Sequence, residues 1–117
     1  LTSTRDVYLL AAYQKPSPRN AHDTVTGYKV VDTINFAKVN NTGPQLQKSL
    51  FAGDVYSDVK TVVVPGHPKA DRLAFADEYD PDNETGIVYN VTLIRPHSNV
   101  TAFFAVNTKA TLLKGGV

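Results

Sequence analysis

The clearest pattern along the chain runs from Tyr28 to Val39. Tyr28, Val30, Asp32, Ile34 and Phe36 alternate with Lys29, Val31, Thr33, Asn35 and Ala37. Side chains of a strand alternate between its two faces, so this segment predicts a mostly apolar face backed by a mostly polar one. Such a strand belongs to an antiparallel sheet with one side on a core and the other in water. Similar runs predict strands over 48–52, 58–64, 72–76, 86–95 and 100–107. In the run 86–95, Ile87, Tyr89, Val91 and Leu93 share a face. Turn clusters separate the runs: Asn40–Pro44, Gly53-Asp54, Pro65–Pro68, Tyr79–Glu84 and the hairpin turn Pro96–Asn99. Six strands, or seven, with a turn about every ten residues predict an antiparallel β-sandwich.

The N-terminal segment fits this pattern least. Residues 1–14 contain good helix formers, Ser3 and Asp6 have capping-box spacing, and Pro16 and Pro18 stop any helix. A strand over Val7–Ala12 satisfies the same letters; helix is the preferred reading. Val7 to Tyr13 is apolar all round, and a helix with no polar face needs cover on more than one side. A partner chain or a flanking loop would supply it. The expected organisation is therefore a helix over 1–14, with Val7, Leu9, Leu10 and Tyr13 as a homodimer interface, and a sandwich over 15–117.

The 117 residues suit one domain, and 42% hydrophobic residues suffice for a core. A net charge of +1 argues against nucleic acid as a partner, and the apolar runs are too short for helical membrane insertion. With no Cys there are no disulfides, thiolate nucleophiles or Cys-ligated metals. The sequence also lacks Met, and Leu1 reads as a product of processing, by signal-peptide cleavage or by trimming. Sequons at Asn40, Asn83, Asn90 and Asn99 add to the expectation of a secreted glycoprotein.

Chemistry is sparsely signalled. His22, His67 and His97 fall in separate turns without metal-ligand spacing. Ser17, Ser57 and Ser98 lack a nucleophile-elbow pattern. Asp77, Glu78, Asp80, Asp82 and Glu84 form an acidic cluster followed by Gly86. The glycine is one place late for an EF-hand and Val91 stands at the twelfth position, so the cluster reads as a solvated turn, with no metal or cofactor expected. Paired carboxylates for glycoside hydrolysis are the enzymatic alternative. Tyr79 and Asp80 in this turn, and Tyr56, are the candidate ligand-binding residues, since aromatic faces stack on sugar rings.

The segment Val31-Asp32-Thr33-Ile34-Asn35-Phe36-Ala37-Lys38-Val39 resembles the fungal immunomodulatory proteins, which carry an aliphatic-Asp-Thr/Asn-aliphatic-Thr-Phe-Pro-Lys-Val pattern there. Ser49–Gly53, Glu78-Tyr79, Val91–Pro96, Asn99 and Ala105 also fall into register, and nearly the whole chain is covered. The resemblance implies an N-terminal helix followed by an immunoglobulin or fibronectin III-like sandwich. It also implies dimerisation through the N-terminal segment. It further implies lectin-like, non-enzymatic binding of cell-surface receptors or glycans that stimulates immune cells. Asn35 and Ala37 depart from the pattern, and the chain has no Trp, the residue linked to sugar binding in that family. A structural coat-type subunit assembling through edge strands is the non-enzymatic alternative.

Overall fold

The computed structural model describes residues 3–20 and 22–114. The chain is mostly β and antiparallel, as the alternation predicts. The strands are β1 (Ser3–Pro16), β2 (Thr24–Asn41), β3 (Val55–Tyr56), β4 (Val59–Pro65), β5 (Arg72–Phe75), β6 (Tyr79–Asp80), β7 (Thr85–Gly86), β8 (Tyr89–Pro96), β9 (Val100–Asn107) and β10 (Leu112–Lys114). Among the described residues one helix, α1, spans Pro44–Leu50. Six strands close into a barrel in the order β1-β2-β4-β9-β8-β5, with β5 returning to β1. The expected sandwich of two separate sheets is therefore corrected to a closed sheet. The seam at β5 is only four residues wide: Val7–Leu10 pair with Arg72–Phe75.

The N-terminal helix is corrected to a strand. Val7 and Leu9 point into the barrel with Val39, Val62, Phe75 and Phe103. Leu10 faces the other way, into a second cluster outside the barrel wall with Ala74, Tyr79 and Val88, against which Tyr8, Tyr28 and Val30 pack. A strand covered on both faces needs no polar side, so its sequence reads as a continuous apolar run. That run looks like a helix apolar all round, and the physical cause of the misreading is this double cover. Burial of each such side chain contributes about 1.5–3 kcal/mol. Pro44 opens α1, where its missing N–H costs nothing. The helix covers most of 48–52, where a strand was expected, and that expectation too is corrected.

The alternation along β2 is broken twice. Val7 pairs with Ile34 and Arg5 with Ala37, so Asp6 alone stands against Asn35 and Phe36. Leu9 pairs with Asp32 and Leu10 with Val30, which leaves Val31 as a second extra residue. Each bulge moves the following side chains to the other face. Tyr28 and Val30 therefore pack on the outer cluster, Ile34 on the barrel core, and Ala37 and Val39 inside the barrel. Phe36, expected on the apolar face, is instead 78% exposed, with a left-handed φ of 59°. Its N–H donates to Asp6 Oδ1 at 3.1 Å.

Near the bulge at Phe36, β2 parts from β4. Among the described residues, Lys38–Asn41 pair with β4, and the rest of β2 is laddered to β1 alone. β1 and β2 thus form a two-stranded ribbon that continues past the closed sheet. One point on the open edge is covered by side chains from β6 and from the turn that joins it to β7. The Tyr28 N–H donates to Glu84 Oε1 at 2.8 Å, and the Tyr79 hydroxyl donates to the Tyr28 carbonyl at 2.8 Å. Both polar groups of one edge residue are satisfied without a neighbouring strand, which blunts an otherwise adhesive edge.

Candidate functional site

A polar cleft of about 260 Å³ opens where β2 ends, between α1 and the start of β4, lined by Asn41, Thr42, Gln47, Ser57, Asp58, Val59 and Lys60. Gln47 builds its floor. This side chain is 3% exposed, donates through Nε2 to the Thr42 carbonyl at 2.8 Å, and accepts the Tyr56 N–H at 2.7 Å. One buried amide thus fixes both walls. The Thr42 and Thr61 hydroxyls bond to each other at 2.6 Å.

Asp58 is the centre of the network. Its Oδ2 accepts the Tyr89 hydroxyl and the Asn107 Nδ2–H, each at 3.0 Å. Its Oδ1 lies 2.9 Å from Lys60 Nζ, which also donates to Asn41 Oδ1 at 2.6 Å. Burial opposes the charge of Asp58, yet hydrogen bonds from Asn107, Lys60 and Tyr89 outweigh it and hold the carboxyl below its ordinary value. Burial, with the Asp58 charge, pushes the Tyr89 hydroxyl up, so it remains a donor. Among the described residues, the Asn41 side-chain amide, one N–H of Gln47, the third N–H of Lys60 and the Ser57 hydroxyl have no partner on the cleft. The Ser57 oxygen itself accepts the Thr111 N–H at 2.9 Å.

The acidic turn is differently used. Asp80 Oδ1 accepts the N–H groups of Asp82 and Asn83 at 3.0 and 3.4 Å, and Oδ2 accepts the Asn83 amide at 2.7 Å. These bonds, the Asn83 side chain first, hold its carboxyl low. Glu84, at a left-handed φ of 54°, accepts the Tyr13 hydroxyl at 2.6 Å and lies 3.6 Å from Lys15 Nζ. The Tyr13 bond is the main reason its carboxyl sits low. Gly86 permits the turn, for a Cβ there would stand 2.2 Å from the Glu78 carbonyl oxygen. No group of three or more His, Asp or Glu residues suited to a metal occurs among the described residues.

The expected site residues therefore scatter. Tyr79 is 5% exposed and its hydroxyl, pushed up to about 12 mainly by burial, is spent on Tyr28. Asp80 organises its own turn. Tyr56 packs edge-on against Phe51 beside the cleft, its ring centroid 6.2 Å away. Val7, Leu9 and Leu10 are at most 1% exposed and serve the chain's own core, while Tyr13, 38% exposed, bonds Glu84. Among the sequon asparagines, Asn83 and Asn99 are exposed, and Asn40 and Asn90 half-buried. His67 bonds the His97 carbonyl, so two of the three histidine turns meet.

Asn41, Gln47, Asp58 and Lys60 were not singled out from the sequence, and Ser57 was weighed only as a nucleophile. One local signal existed: Asp58 and Lys60 stand two apart at a strand start, on one face and with opposite charges. Their partners Asn41, Tyr89 and Asn107 lie far away in the chain, and only the barrel brings them in. Comparison with protein-family models, with curated proteins and with solved structures returns no match.

Proposed function

We propose that the protein is a secreted, non-enzymatic recognition domain that binds cell-surface glycans in a lectin-like way. The cleft carries this reading: it is small, polar, held in shape by Gln47 and Asp58, and presents spare hydrogen-bond donors. Sugar rings are recognised by such fixed polar groups, with an aromatic residue at the rim, and Tyr56 adjoins the cleft. The resemblance to the fungal immunomodulatory proteins points to the same class, with immune-cell stimulation as the downstream effect. A glycan array tests the reading. The chain should retain a defined set of glycans, and Asp58→Ala, checked for folding by circular dichroism, should lose them. Retention of nothing by the folded wild-type chain would sink the proposal.

A second reading is favoured by the ribbon. Among the described residues, β2 has an edge without a strand neighbour from Thr24 to Ala37 and exposes Val31 and Phe36, 57% and 78% open to solvent. Free edges with apolar side chains add strands from other chains, as in a structural subunit. Light scattering over a concentration series tests this. Mass rising above that of one chain in the wild type, and not in Phe36→Asp, supports assembly. A single-chain mass throughout rules it out.

A further inference from the structure

The four Asn-X-Thr sequons, at Asn40, Asn83, Asn90 and Asn99, are used by neither the cleft nor the free edge. An N-linked glycan needs an asparagine amide that faces water and a hydroxyl residue two places on. The fold treats the four differently. Asn40 stands in β2 opposite Thr61, and Asn90 in β8 opposite Arg72 and Val106, each half-buried in a ladder. Asn83 is exposed in the turn between β6 and β7, but its Nδ2 donates to Asp80 Oδ2 at 2.7 Å and helps close that turn. Asn99 is exposed in the turn between β8 and β9, and among the described residues no group takes its side-chain amide. The turn is braced around it. The Asn99 carbonyl accepts the Gly66 N–H at 2.8 Å, and the His97 N–H donates to the Val100 carbonyl at 2.8 Å.

We infer that Asn99 carries an N-linked glycan. This rests on the secreted part of the proposed function and not on sugar binding by the cleft. In the transfer, Nδ2 bonds C1 of an oligosaccharide held on a lipid diphosphate. The C1–O bond breaks, the lipid diphosphate leaves with its electron pair, and the amide gives up one proton. Thr101, the hydroxyl residue of this sequon, is 1% exposed and donates to the Gly66 carbonyl at 2.8 Å. The folded chain thus presents the amide while it hides the hydroxyl, so attachment precedes the docking of β9 on β4. β9 runs from Val100 beside this turn to Asn107, which donates to Asp58. Roughly 25 Å of strand therefore separates the glycan from the cleft, which stays open.

The test is mass spectrometry of the full chain from its natural source, after enzymatic release of N-glycans in ¹⁸O water. Release converts each glycan-bearing asparagine into a labelled aspartate, expected at position 99. A chain collected outside the cell with a bare Asn99 would overturn the inference and leave the secreted reading intact. A chain found only inside the cell would remove that reading and the inference with it. Synthesis of the full chain behind a secretory leader, with endoplasmic reticulum microsomes present, checks the site itself. Asn99→Gln should lose one glycan's mass, and Thr101→Ser should keep it. Equal glycan mass in Asn99→Gln and the wild type overturns the assignment to Asn99. The folded, sugar-free chain, offered to the solubilised transferase and its lipid donor, should stay bare at 99. Transfer there as complete as in microsomes would overturn the order of attachment before docking.

Discussion

Two carboxylates at different places in the fold collect the same three kinds of donor. Asp58 takes a tyrosine hydroxyl from Tyr89, an amide N–H from Asn107 and the ammonium of Lys60. Glu84 takes a tyrosine hydroxyl from Tyr13, an amide N–H from Tyr28 and the ammonium of Lys15. Asp58 stands at the start of β4 and ties it to β8 and β9 through Tyr89 and Asn107. Glu84, its side chain 18% exposed against 29% for Asp58, fastens a turn to a ribbon of two strands instead. The same chemistry is structural cement in one place and a light fastening in the other. What each carboxylate joins, and not its residue type, sets the difference.

The largest test of the contrast is in the hairpin that spans both regions. Leu9→Ala, inside the barrel, should lower stability by about 2–5 kcal/mol, whereas Val31→Ala, on the ribbon bulge, should stay within about 0.5 kcal/mol of wild type. Urea unfolding at neutral pH measures both; equal effects would erase the distinction. Next in size, Asp58→Ala strands the Tyr89 hydroxyl and the Asn107 amide. It should cost about 1–2 kcal/mol by the same measurement, a figure already reduced for the residue's partial exposure.

Acid should then sharpen the comparison. The carboxyls of Asp58, Asp77, Asp80 and Glu84 are all held low in the folded chain. Between the folded and unfolded values the unfolded chain binds more protons. The stabilisation is therefore complete above the unfolded value, 3.8 for aspartate, and is lost as pH falls through the folded one. Urea midpoints should fall from pH 5 downward to about pH 2, and less steeply in Asp58→Asn. An unchanged slope in that variant would assign the acid response elsewhere. The smallest effect belongs to Glu84→Gln. The global midpoint should hardly move, while amide exchange at Tyr28 quickens relative to its neighbours. A Tyr28 amide as protected as before would show that the edge is guarded by something other than Glu84.

Much of the sheet was legible in the sequence because alternation and turns are local. The strand expected over 100–107 is β9, and the turn at Pro96–Asn99 joins β8 to β9. The errors arise where distant parts of the chain decide. Val7–Leu10 read as a helix because the cover on its outer face, Tyr79 and Val88, comes from the far half of the chain. Phe36 read as a core residue because the bulge that turns it outward is a property of its pairing with Asp6, not of its own neighbours. The cleft stayed hidden for the same reason, since Asp58 meets Asn107 only after the barrel closes. Leu50-Phe51-Ala52 was too short an apolar run to separate helix from strand.

The barrel order sets a constraint on biosynthesis. β9 lies between β4 and β8, although it is the last of the six strands to be made. Until Val100–Asn107 leave the ribosome, β4 and β8 each expose a hydrogen-bonding flank and one side of an unfinished core. Closure is a late, long-range event that waits on nearly the whole chain, of the kind that folds in milliseconds to seconds rather than microseconds. A nascent chain that stops short of Val100 is an open sheet, with the flanks of β4 and β8 that β9 would fill left unpaired.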